Sequence, residues 1–435
     1  MPRFVALSAK PRLLTLPWDV PLQDWPEDLL VSLPRGISRH VVRFVRQGNQ
    51  LYALKEAPHR YVTRELRLLR DLDRLDVPAV DAVGAVVERT SAEGEPLDPI
   101  LITEHLQFSL PYRALFSRTL RPETVVRLVD ALAALLVRLH LTGFFWGDCS
   151  LSNTLFRRDA GAFAAYLVDA ETGELHDELS PGQRAHDLEL ARTNIFGELL
   201  DLQAAGLSTE PLQEDGDQHS EQSGGEGSGD SSENSGDDTG DNAGAETELL
   251  ALADRVVDRY QRLWAELTEA EEFDTGEMYR IERRIARLNE LGFDVAELDV
   301  VTDIGGRQVR IQPKVVDAGH HSRRLLRLTG LDVEENQARR LLNDLDAYRA
   351  ATDQQNEDEE LVAHQWLTDV FEPVAVLIPS GHSGKLEPAE IFHEVLEHRW
   401  FLSEHAGSEV SIIDAARSYV HHILSARPDE KVTIQ

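Results

Sequence analysis

Between His140 and Phe156 the chain reads HLTGFFWGDCSLSNTLF, and a short way on YLVDAET carries Asp169. Asp148 is followed, after four residues, by the amide of Asn153, and Asp169 ends a run with the character of a strand. An acid, an amide and a second acid in this order suit a metal–phosphate site. Asp148 would orient and deprotonate a hydroxyl; Asn153 and Asp169 would hold magnesium ions that screen phosphate charge. The competing reading is a loop with ordinary turn-forming Asp and Asn. It explains neither the long helix expected before the loop nor the strand after it.

Those side chains need elements to place them. Pro122 to Leu141 is an amphipathic helix: Val125, Val129, Leu132, Leu136 and Leu139 recur at helical spacing, Pro122 suits a first turn, and Gly143 ends the helix. Upstream, Val41–Val45, a Gly48–Asn49 turn and Leu51–Lys55 predict a strand, a turn and a strand ending at Lys55. A helix from Tyr61 to Leu72 follows, with Glu65 inside it. Val77–Val80, Val83–Val87 and Ile100–Glu104 predict further strands. Downstream, a helix is expected from Ala185 to Ala204, with Asp187 near its start.

In this order the parts resemble a protein-kinase-like fold, over roughly residues 30–205. They are a small sheet with Lys55, Glu65 in the next helix, a long helix, H-x-x-G-x-x-x-G-D-x-x-x-x-N, and a strand ending in Asp169. Trp146-Gly147-Asp148 stands where protein kinases carry HRD, which is closest to the bacterial lipopolysaccharide (Kdo and heptose) kinase group. The resemblance implies ATP and Mg²⁺, with Lys55 on the α/β-phosphates and Glu65 holding it. The backbone of Glu104-His105-Leu106 would form the hinge that meets adenine. Asp148 would be the base, and Asn153 and Asp169 the metal ligands. His140 and Asp187 would brace the catalytic loop. Three departures stand out: only Gly36 remains of a glycine-rich loop in LPRGISRHVV, where Ser38 or Arg39 could help cover the phosphates; the metal motif is Asp169-Ala170-Glu171, leaving a metal role for Glu171 open; and no APE-like activation segment follows. The last point argues against a signalling protein kinase. The expected acceptor is a sugar or other small molecule. A nucleotide-binding regulatory or scaffolding module without transfer, and an AMP transferase, remain open alternatives.

Composition bounds the rest. A net charge of −33 argues against sequence-independent nucleic-acid binding. About a third of it lies in residues 210–246, which carry twelve acidic residues, no Lys or Arg, and too little apolar surface to offset chain entropy. That segment is expected to be a disordered linker. No stretch approaches the roughly 20 apolar residues of a membrane span. The first residues lack a signal-peptide run, and the single cysteine, Cys149, excludes an intrachain disulfide, so a cytoplasmic setting is expected. The expected fold class is α+β, a bilobal kinase-like domain plus a mostly helical C-terminal domain. Its parts are 1–30, an N-terminal segment; 31–209, the kinase-like domain, with lobes 31–106 and 107–209; 210–246, the linker; and 247–435, a helical accessory domain that leaves room for a protein partner. Within the last, helices are predicted at Gly276–Leu291, Glu334–Thr352, Glu360–Phe371, Pro388–Ala406 and Val410–Ala426, with a hairpin turning at Ile304–Arg307. The basic run His320–Arg327 suits a solvated helix face or an anion site. His393 and His398 are five apart and do not fit H-E-x-x-H.

Overall fold

The computed structural model describes residues 2–6, 11–33, 39–48, 50–115, 119–206, 208–209, 238–269, 271–274, 283, 286–288, 291, 293–302 and 308–431. Gly36, Ser38, the turn at 304–307 and most of 276–291 lie outside them. The first lobe comprises β1 (Arg3–Ala6), β2 (Leu30–Val31), β3 (Val41–Gln47), β4 (Gln50–Glu56), helix α1 (His59–Arg74), β5 (Ala82–Val87) and β6 (Ile100–Glu104). The strands form one antiparallel sheet in the order β1-β5-β6-β4-β3-β2. Alternation along each strand serves two cores. Leu101 faces Val62, Leu66 and Leu69 of α1, whereas Ile100 and Ile102 join Trp18 and Trp25 on the other face. The two indoles meet edge to face at 5.3 Å and donate to Leu13 O and Val20 O, which pins the proline-rich N-terminal segment down. Val77–Val80 is not a strand. It makes a single bridge, Ala79 to Leu167, because Pro78 has no N–H to continue a ladder.

The second lobe is built on the helix α2 (Pro122–Leu141), as expected. Ahead of it, β7 (Ser109–Pro111) pairs with β8 (Thr154–Asp159), and β8 with β9 (Ala162–Leu167). Helix α3 (Pro181–Ala204) starts on a capping box in which Ser180 and Gln183 satisfy each other's backbone. Helix α4 (Asp238–Thr268) runs across the expected boundary at 246/247. It begins inside the acidic segment, of which residues 210–237 lie outside the described ones. It also packs on the first body: Leu249, Ala253, Val256, Tyr260 and Leu263 share one core with α2 and α3. The apolar stripe of α4 recurs at helical spacing and covers the face of α2 that would otherwise be bare.

The remaining chain forms a sheet of β10 (Glu271–Asp274), β11 (Phe293–Thr302) and β12 (Gln308–Ala318), in the order β10-β12-β11. Helices α5 (His320–Thr329), α6 (Glu335–Ala351), α7 (Glu359–Trp366), α8 (Pro388–Ala406) and α9 (Ile412–His422) follow. The predicted helix ending at Phe371 instead loosens into a π turn over Leu367–Phe371. These helices close a second core around Trp366, Phe371 and Phe392. The β8–β9 hairpin docks against it through polar groups. Arg157 pairs with Glu334 at 2.8 Å and with Glu387, while buried Asp159 accepts from Gln337 N–H and Asn336 Nδ2, both at 2.8 Å. The basic run is largely neutralised where it lies, Arg323 by Asp76 and Arg324 by Glu359. Among the described residues, no helix is long and apolar enough to cross a membrane.

Candidate active site

The loop that opened the sequence reading is held by its backbone. Both oxygens of Asp187, which is fully buried, accept N–H groups at 2.8 Å, from Trp146 and Gly147. His140 Nε2 lies 3.1 Å from the same carboxyl, so it is the donor in that bond; Nδ1 is then free to accept from the Tyr260 hydroxyl at 2.8 Å. Burial lowers the His140 pKa, against the pull of Asp187. Gly147 adopts φ +75°, a region that a side chain disfavours, which explains a glycine directly before Asp148. Beyond Asp148, the N–H groups of Leu151 and Ser152 donate to Glu198, and Asn194 caps Cys149 O at 2.8 Å. Burial raises the Glu198 pKa despite those two bonds. Cys149 is buried, and burial raises its thiol pKa well above the ordinary range.

Asn153 donates Nδ2 to Asp148 O and Oδ2 at 3.1 and 3.0 Å. Trp146 Nε1 donates to Asp169 O at 3.0 Å, so the loop and the DAE turn are tied together. On the other side of the cleft, Lys55 Nζ lies 3.0 Å from Glu65 Oε2, 2.7 Å from Asp169 Oδ2 and 2.8 Å from Glu171 Oε2. Arg64, beside Glu65, reaches across to Gly173 O at 2.7 Å and fixes α1 against the DAE turn. Burial opposes the Lys55 charge, but Glu65 and Asp169 outweigh it and hold the ammonium above the ordinary lysine range. Burial, with Asp169 beside it, pushes the Glu65 carboxyl up to about 8 against the pull of Lys55.

Glu171 belongs to this cluster. It is 4% exposed and also meets His40 Nε2 at 3.1 Å and Arg39 at 3.2 Å. Burial would raise its pKa, yet Lys55, His40 and Arg39 bring it below the ordinary range. Arg39 also stands 3.9 Å from Asp148. Glu65, Asp169 and Glu171 place one oxygen each within 4.8 Å of one another. All three carboxylates converge on the Lys55 ammonium; hard oxygens such as those of Asp169 and Glu171 are the kind magnesium prefers, while Glu65 is taken up by Lys55.

Lys55, Glu65, Asp148, Asn153, Asp169 and Glu171 share a cavity of about 780 Å³, lined also by Glu104, His105 and Leu106. The N–H groups of Glu104 and His105 are spent on Asp81 O and Leu51 O. If a base met this hinge, its backbone donor would have to come from Leu106 or beyond. Burial lowers the His105 pKa to about 4. Sequence reasoning missed Glu198 and Arg39's contact with Asp148 and left Glu171 open. The D-x-E spacing was the one signal for Glu171.

Residues 41–201 match the model of the lipopolysaccharide kinase (Kdo/WaaP) family. Residues 262–424 match a separate family described as a domain of unknown function, DUF4032. A solved structure described as "WaaP in complex with acyl carrier protein" is 20% identical with a TM-score of 0.32, covering 45% of this chain and 81% of that one. No curated protein matches the chain. The family match at 41–201 falls within the stretch, roughly 30–205, whose motifs resemble a kinase.

Proposed function

We propose that this protein is an ATP- and Mg²⁺-dependent phosphotransferase acting on a hydroxyl of a sugar or other small molecule. The family match to residues 41–201 points to phosphoryl transfer to a sugar. The observation that carries the finer reading is the placement of Lys55 at 2.7–3.0 Å from Glu65, Asp169 and Glu171, in the cavity that also holds Asp148 and Asn153. Lysine is a compact cation suited to phosphate oxygens. Asn153, Asp169 and Glu171 would hold the metal. Bound magnesium would neutralise charge on the phosphate oxygens. Asp148, positioned by Asn153 and by the Asp187-held backbone, would take the proton of the acceptor hydroxyl as its oxygen attacks the γ-phosphorus and the bond to ADP breaks. Phosphoryl transfer asks little more of a protein than position and charge.

Thermal melting with and without ATP–Mg²⁺ tests the binding half of this reading. A ligand at 100 times its Kd stabilises by about 2.7 kcal/mol, so a clear rise in Tm is expected for the wild type. Lys55→Ala and Asp169→Ala should abolish most of that rise. Equal rises in all three proteins would sink the site assignment.

A further inference from the structure

The cavity around Lys55 and Asp148 is not closed by the kinase-like body alone. Asp429, Glu430 and Lys431, from the far end of the second body, line it together with the hinge and part of α3. The segment is strapped to the second body: Glu430 N and Lys431 N donate to Gly384 O at 3.0 and 2.7 Å, and Lys385 Nζ donates to Arg427 O. It is also anchored to the first body. The buried carboxyl of Glu430 lies 2.7 Å from Arg158 Nε on β8. Lys431 Nζ stands 5.4 Å from the ring centre of Phe108, two residues beyond the hinge. Phe108 holds φ +54°, an uncommon conformation for phenylalanine, at the turn that leads from β6 to β7. Gly197, within α3, also lines the cavity, and a Cβ there would meet nothing within 4 Å. Glycine weakens a helix interior, and no packing demands it here; its bare face widens the cavity.

Resting on the phosphotransfer reading above, we infer that Asp429 and Lys431 bind the ribose end of the nucleotide, so that the second body takes part in nucleotide recognition. Glu104, His105 and Leu106 line the same cavity as Asp429 and Lys431, and Lys431 stands against Phe108 just beyond them, so the group attached to a base held at the hinge would come within reach of this segment. Ribose hydroxyls both donate and accept. A carboxylate that accepts and an ammonium that donates, one on each side of Glu430, match them. Glu430 itself is committed to Arg158.

Calorimetric titration of the full chain with ATP–Mg²⁺ and with 2′,3′-dideoxy-ATP–Mg²⁺ tests this. The wild type should prefer ATP. Asp429→Asn and Lys431→Ala should each bind ATP roughly tenfold more weakly and bind the dideoxy nucleotide nearly as the wild type does. Lys431→Arg should restore most of the preference. Arg417→Ala, an exposed change on α9, should alter neither. Both altered side chains are exposed, and a nucleotide-free melt confirms that each variant folds. Unchanged ATP affinity in Asp429→Asn and Lys431→Ala would overturn the inference and leave the phosphotransfer reading standing. Failure of the wild type to bind ATP would overturn both.

Discussion

Replacing Asp187 by alanine should destabilise the loop that carries Asp148 and the lobe around it. The wild-type carboxyl accepts from Trp146 N and Gly147 N at 2.8 Å and from His140 Nε2 at 3.1 Å, with no exposed surface. Alanine leaves three buried donors. Each costs roughly 1–3 kcal/mol when orphaned, and a water entering the space would pull the sum towards the low end. A loss of about 3–6 kcal/mol is therefore expected, a large share of the 5–15 kcal/mol typical of a domain. At roughly 2–4 °C per kcal/mol for a body of this size, Tm should fall by on the order of 10 °C or more. Scanning calorimetry should show the shift in the transition of the kinase-like body, whose core holds Trp146 and α2. Asp187→Asn should lose less, because its carbonyl can still accept while its NH₂ faces a donor. An Asp187→Ala protein melting within about 2 °C of the wild type would refute the argument that this carboxyl holds the loop.

Three other outcomes follow from the same geometry. Burial, with Glu334 nearby, pushes Asp159 from the ordinary aspartate value of 3.8 up to about 8. A raised folded pKa means that its contribution is complete below about 3.8 and is lost as pH rises through 8. Tm should therefore fall between pH 6 and 9 more steeply in the wild type than in Asp159→Asn; parallel profiles would contradict this. Gly143→Ala should be far more damaging than Gly147→Ala. Both have positive φ, but a Cβ at Gly143 would lie 2.0 Å from His176 O, whereas at Gly147 it meets the Phe145 ring at 3.2 Å. Urea melts of the two variants decide it, and similar midpoints would be the wrong result. Cys149 should resist iodoacetamide in the native protein and react on unfolding, since the buried thiol has a raised pKa. Rapid native labelling, followed by mass spectrometry, would contradict its placement.

The parts that the sequence revealed are those with local causes. The stripe of α2, the strand–turn–strand ending at Lys55 and the order Asp148, Asn153, Asp169 each depend on spacing within one or two elements. The bracing role expected for His140 and Asp187 needed only that α3 return to the loop, and the structure puts them in contact at 3.1 Å. What stayed illegible depends on contacts between distant segments. Nothing around Tyr260 says that α4 packs on α2 and gives its hydroxyl to His140. Arg157 and Asp159 look like ordinary hairpin residues until Glu334, Gln337 and Glu387 arrive from the second body. The basic run invited an anionic partner because its neutralising acids, Asp76 and Glu359, are far away in sequence. Glu171 was ambiguous because its role depends on partners far away in sequence, Lys55 on β4 and Arg39 and His40 ahead of β3.

The central claim is that Asp148 serves transfer of the γ-phosphoryl group. Incubation of wild type and Asp148→Asn with Mg²⁺, a cell extract, and ATP labelled at either the γ- or the α-position tests it most directly. The account predicts γ-label on a small-molecule component with the wild type, and its loss in Asp148→Asn while ATP–Mg²⁺ still raises Tm in the variant. Transfer of α-label would instead make the protein an AMP transferase. Nucleotide binding without transfer to any component, or equal γ-transfer by Asp148→Asn, would contradict the account.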